Sequence, residues 1–86
     1  MAELREHRLK RMKMRAWHRG MKEMDFILGR FSDDTLHSLS DADLDALDAL
    51  MEENDQDLYK WVSGQEQAPA QHQPLIETIA RHAGAL

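Results

Sequence analysis

The 86-residue chain predicts an all-α fold, a compact bundle of about five short helices built as one domain over residues 1–86. Apolar residues recur at three- and four-residue spacing in five separate segments, and no window shows the period-two alternation of a half-buried strand. The connections are short apart from one loop, and neither an internal repeat nor a shift of composition marks a second domain.

Residues 3 to 16 read as the first helix. At about 100° per residue, Arg8, Arg11 and Arg15 share one narrow stripe and Leu9, Met12 and Ala16 another. That apolar stripe is thin, which predicts packing at the edge of the bundle. The second helix is read from Gly20 to Phe31, with Met21, Met24, Ile27, Leu28 and Phe31 on an arc of about 120° facing the core. Phe26 falls outside the arc, on the side of Glu23 and Arg30. Such an aromatic is either covered by another part of the fold or exposed as an interface residue.

Ser32-Asp33-Asp34 offers caps for a short turn through Leu36 and Leu39. Ser40 reads as the N-cap of a third helix over 41–53, with Asp43 placed for an acidic variant of the capping box. Leu44, Leu47, Leu50 and Met51 form its apolar face, and Asp41, Asp45, Asp48 and Glu52 an acidic stripe on its flank. A fourth helix spans 56–63, capped by Asn54 or Asp55 and stopped at Gly64. Residues 64–73 have loop composition. Pro74 suits the first position of a fifth helix running to Ala83. Expected core positions are Met24, Ile27, Leu28, Phe31, Leu44, Leu47, Met51, Leu58, Trp61, Ile76 and Ile79.

A chain this short has little interior, which favours a binding module over an enzyme with a buried pocket. It has no cysteine, so thiolate catalysis, disulfides and cysteine zinc sites are excluded. Its five histidines, at 7, 18, 37, 72 and 82, lack metal-ligand spacing and are expected at the surface. No serine stands in a nucleophile elbow, and helix three lacks a calcium-loop pattern. The four glycines are isolated, so there is no Gly-x-Gly-x-x-Gly fingerprint for holding a dinucleotide such as FAD. The reading therefore names no catalytic residue, no metal and no cofactor. No run reaches the roughly 18 apolar residues of a membrane span. No apolar leader follows Met1, and Glu3 and Glu6 argue against a mitochondrial presequence, so a bacterial cytoplasmic location is expected.

The net charge of −5 is unevenly spread. Residues 1–30 carry nine Lys or Arg and four acids, whereas residues 31–86 carry two and twelve. Opposite blocks either stabilise one another within the fold or present two surfaces to partners. The arginine stripe supplies the clustered cations that nucleic-acid binding needs. The acidic remainder and a pI near 5.4 oppose that use, leaving nucleic-acid binding as the rival reading.

The segment Arg19-Gly20-Met21-Lys22-Glu23-Met24-Asp25 stands out. A glycine at a helix start, with an arginine before and two carboxylates after, suits close approach of another backbone with charges fixing the register. Arg19 and Glu23 could equally form an intrahelical pair worth about 0.2–0.5 kcal/mol. Arg19-Gly20-x-x-Glu23-x-Asp25, followed by Phe26-Ile27-Leu28-Gly29-Arg30-Phe31 and by Asp57-Leu58-Tyr59-x-Trp61, resembles the flavinylation factors of succinate dehydrogenase, the FAD assembly factors of the SdhE family. The resemblance covers nearly the whole chain. It departs at His18, where a second arginine or a serine is common.

That resemblance implies a non-catalytic helper, monomeric when free. Its partner is the flavoprotein subunit of succinate dehydrogenase, with fumarate reductase a possible second client, and the FAD it serves is bound to that partner. The family's signature maps onto Arg19, Gly20 and Glu23, with Asp25 close by. On this reading Gly20 allows close approach, Arg19 and Glu23 make directional contacts, and Arg15 and Arg8 extend the basic surface. Phe26 and Arg30 complete the expected partner-binding set.

Overall fold

A computed structural model describes residues 3–84; Met1, Ala2, Ala85 and Leu86, at the ends of the expected domain, lie outside the described residues. Five helices follow in order: α1 Arg5–Trp17, α2 Lys22–Thr35, α3 Asp41–Leu50, α4 Asp55–Val62 and α5 Gln73–Ala83, with a 3₁₀ turn at Leu36–Ser38. No strand occurs among the described residues. The expected all-α bundle is the fold.

Each helix forms for a local reason and is kept by the face it buries. Ser40 caps α3 by accepting the Asp43 N–H at 3.1 Å, and Asn54 caps α4 by accepting from Gln56 at 2.8 Å. Gly64 and Gly84 take the left-handed conformation (φ 83° and 80°) just beyond α4 and α5, which a side chain would resist. The core gathers Met12 and Ala16 of α1, Met24, Leu28 and Phe31 of α2, Leu44, Leu47 and Leu50 of α3, Leu58 and Val62 of α4, and Ile76 and Ile79 of α5. Nine of the eleven expected core positions are buried; Ile27 and Trp61 are half-buried and pack against the core from its margin.

Three expectations need correction. Ser32-Asp33-Asp34 does not cap a new turn, because α2 runs through it to Thr35. Ser32 faces inward, while Asp33 accepts from the Trp17 indole N–H at 3.2 Å and pairs with Lys13 at 3.1 Å. With Asp33 held by α1 and Asp34 paired with His82 of α5 at 2.7 Å, this run continues the helix. Gly20 is not the start of α2 but lies in the link before it, and α3 stops at Leu50.

His72 is buried rather than at the surface, stacked on Trp61 and donating from Nε2 to Glu53 at 2.8 Å. It closes a 64–73 segment that also buries Ala68.

A corner that presents an unpaired helix face

The link between α1 and α2 is fixed by side chains that end other helices. Beyond Leu50 the chain tightens into turns, Glu52 N–H bonding to Ala49 and Glu53 N–H to Leu50, and the carbonyls of Met51 and Glu53 remain available. Arg19 fills this gap. Its Nη1 donates to the Met51 carbonyl at 2.9 Å and its Nη2 to that of Glu53 at 3.1 Å. A guanidinium here also suits the negative end of α3.

Its Nε donates to Asp55 Oδ1 at 2.8 Å, and the second oxygen, Oδ2, accepts the Gly20 N–H at 2.6 Å. Asp55 opens α4, where the helix dipole favours a carboxylate. The Arg19 backbone N–H donates to Asp25 Oδ1 at 2.5 Å, tying the link to the first turns of α2. The Arg19 side chain is 8% exposed and Asp55 14%, so this is a largely buried, fully hydrogen-bonded pair.

Arg19 therefore faces inward, its guanidinium taken up by the corner, and the alternative Arg19–Glu23 pair is not formed. Asp25 likewise serves the corner. Gly20 remains exposed, and a Cβ there would meet Asp55 Oδ2 at 3.3 Å, the only tight contact it would make.

From this corner α2 presents Glu23, Phe26 and Arg30 outward. Glu23 and Arg30 make no side-chain hydrogen bond or ion pair with another described residue. Phe26 is 51% exposed, resting by its edge on Trp17 with ring centroids 6.2 Å apart. Beside it runs an open groove of about 400 Å³ lined by Phe26, Ile27, Arg30, Asp34, His82 and Ala83.

Trp17 escaped the sequence reading. Its indole lies so close to Gly29 that an added Cβ would come within 2.3 Å of Cδ2. The available signal was Gly29 itself, a glycine inside a helix, where it costs about 1 kcal/mol relative to alanine unless something needs the space.

Arg8 and Arg15 lie elsewhere. Arg8 bonds Asp45 at 2.6 Å and Asp48 at 3.2 Å, Arg11 grips Asp48 through two nitrogens at 2.9 and 3.1 Å, and Arg15 reaches Glu52 at 3.2 Å. Arg5 adds a bond to Asp41 at 2.8 Å. The basic stripe of α1 and the acidic stripe of α3 thus zip together in one direction. Hydrogen bonds from Arg11 hold the Asp48 carboxyl below its ordinary value against the effect of partial burial. The stripe that nucleic-acid binding requires is neutralised within the fold.

Among the described residues no cluster of three or more His, Asp or Glu is placed to hold a metal. Among the described residues no helix is long and apolar enough to cross a membrane.

Residues 10–83 match the family described as the flavinator of succinate dehydrogenase. The chain belongs to that family. Among its relatives is the mitochondrial succinate dehydrogenase assembly factor 2 of Meyerozyma guilliermondii, 41% identical over 61 residues that cover 71% of this chain and 45% of the relative. The FAD assembly factor SdhE of Aliivibrio fischeri is 32% identical over 68 residues, 78% of this chain and 79% of the relative. The same-named protein of Legionella pneumophila is 34% identical over 62 residues, covering 72% and 75%. The chain thus spans less than half of that mitochondrial relative and about three quarters of the bacterial ones. No solved structure gives a significant match. The family segment contains the Arg19–Asp55 corner, the outward row of α2 and the Trp17–Gly29 contact.

Proposed function

We propose that this chain is an assembly factor that binds the flavoprotein subunit of succinate dehydrogenase and promotes covalent attachment of FAD, without catalysing chemistry or holding the cofactor itself. The family match over residues 10–83 carries the reading. Forming a covalent flavin link requires the flavin carbon and the protein nucleophile to be held together, and positioning alone lowers such a barrier. A helper that binds the reactive arrangement more tightly than the others increases its population. Gly20 gives room for the partner's backbone, Phe26 supplies an apolar anchor, and Glu23 and Arg30 supply charges of opposite sign one on each side of it. Arg19 and Asp25 hold the link in place, while Arg8 and Arg15 are engaged by the carboxylates along α3 and contribute through the stability of the bundle. The same reading includes a free monomer, a bacterial cytoplasmic location and fumarate reductase as a second client.

The test is covalent flavin on the flavoprotein, read as in-gel fluorescence after denaturation, in cells lacking their own factor. Wild type restores the signal. Gly20→Arg reduces it at least about tenfold while the chain stays folded, since an exposed position outside the helix tolerates a side chain. Glu23→Ala acts more mildly, removing one polar contact worth about 0.5–3 kcal/mol. No increase with wild type defeats the functional reading; full activity of folded Gly20→Arg defeats the site.

A further inference from the structure

We propose that Asp55 is a positioning residue for partner recognition: by holding Arg19 and the Gly20 amide on one carboxylate, it fixes the Gly20 backbone and the entry to α2 beside Glu23. The inference rests on the functional reading above and adds a residue far from the motif in sequence.

Gly20 and Met21 separate Arg19 from α2, and a link containing glycine has no conformational preference strong enough to set its own path. The setting comes from outside. Asp55 Oδ1 and Oδ2 take the Arg19 Nε–H at 2.8 Å and the Gly20 N–H at 2.6 Å, so one planar group orients both a side chain and a peptide. Asp55 is itself immobile, because it is the first residue of α4, whose Leu58 and Val62 are buried. The other restraint, Asp25 on the Arg19 amide, belongs to α2 and moves with it. It cannot fix the link against the rest of the bundle. Only the Arg19–Asp55 and Gly20–Asp55 contacts, with the two α3-end carbonyls on Arg19, refer the link to α3 and α4. Without the carboxylate, Met24, Leu28 and Phe31 still seat α2 in the core, but the Gly20 link beside Glu23 is free to take several paths. If the binding arrangement is then occupied about a tenth of the time, apparent affinity falls about tenfold.

Binding of purified chain to the purified flavoprotein subunit is measured by titration calorimetry, for wild type, Asp55→Asn and the paired variant Arg19→Met with Asp55→Leu. The paired variant guards against unfolding, because apolar replacement of a buried ion pair is commonly neutral for stability. Folding is checked by circular dichroism and melting. Folded variants are expected to bind about tenfold more weakly. In addition, Asp55→Asn costs less affinity in a Glu23→Ala background, since the contact beside the link it fixes has been removed. Wild-type affinity in either folded variant overturns the inference, as does strict additivity with Glu23→Ala, which marks a role in stability alone. Hydrogen exchange on the wild-type chain needs no variant: the Gly20 amide is expected to be protected, and exchange at the rate of an unstructured glycine also overturns it. Failure of wild type to bind defeats instead the functional reading on which the inference rests.

Discussion

Arg8, Arg11 and Arg15 on one side and Arg19 on the other are the same residue type within one short stretch, with opposite physical fates. The first three lie along the α1–α3 seam, where side-chain exposures run from 19% to 43% and their carboxylate partners stay within reach of water. Arg19 is 8% exposed and places three nitrogens on three acceptors that end or begin helices. A solvated pair gains little and is screened by salt. A desolvated pair is costly to break because the surviving charge stays buried. The seam therefore governs electrostatics that the fold can spare, whereas the corner governs geometry that it cannot.

The largest expected effect comes from breaking the corner. Arg19→Ala strands Asp55 and leaves the Glu53 carbonyl without its donor, while Met51 keeps a bond from Arg15 at 3.2 Å, at a cost of about 3–5 kcal/mol. For a domain of this size each kilocalorie lowers the melting temperature by roughly 4–8 °C, so the variant should melt at least about 12 °C below wild type. Arg8→Ala, whose guanidinium touches only the seam carboxylates Asp45 and Asp48, is the control and should cost about 1 kcal/mol or less. Equal losses in the two variants would abolish the distinction between corner and seam.

A smaller effect is expected when the corner is disturbed through packing alone. Gly29→Ala would set a Cβ at 2.3 Å from the Trp17 indole, so the ring must move. Trp17 ends α1 two residues before Arg19, and its displacement shifts the chain entering the corner. Overpacking of this kind costs about 1–3 kcal/mol, against a helix-propensity gain of about 1 kcal/mol for alanine. Thermal melts should show a net loss, with a changed near-ultraviolet dichroism as the indole leaves its site. Unchanged stability and dichroism would mean that the indole is not held there.

These contrasts also mark what was legible in the sequence. The five helices and most of the core follow from apolar periodicity, a local property that each segment carries by itself. The Ser40 cap and the Gly64 stop were legible for the same reason. Ser32-Asp33-Asp34 reads as a cap locally, but its two carboxylates are engaged across the fold, Asp33 by Trp17 and Lys13 and Asp34 by His82. Arg19 was recognised as important, but its direction depends on Asp55, thirty-six positions away, and no local pattern reports that contact. The burial of His72 is invisible in the sequence because nothing near it announces Glu53 or Trp61. Composition revealed opposite charge blocks without saying whether they face each other or a partner.

The seam supplies the smallest and most specific contrast. Asp48 accepts from Arg8 and Arg11, and its carboxyl is held below the ordinary value of 3.8, chiefly by the Arg11 hydrogen bonds. A carboxyl with a depressed folded-state value adds stability that is complete above its unfolded value and lost as pH falls through the lower folded one. Asp48→Asn should therefore cost about 0.2–1 kcal/mol at pH 7 in low salt, and the gap should mostly close in about 1 M salt, which screens the wild-type pair. Melting curves for both chains between pH 7 and about 2.5 test the assignment. Wild type should lose its advantage below the ordinary aspartate range, and the two curves should converge once Asp48 is protonated. A gap that persists unchanged at the acid end would assign Asp48 to packing instead of charge, and the seam would then resemble the corner it is contrasted with.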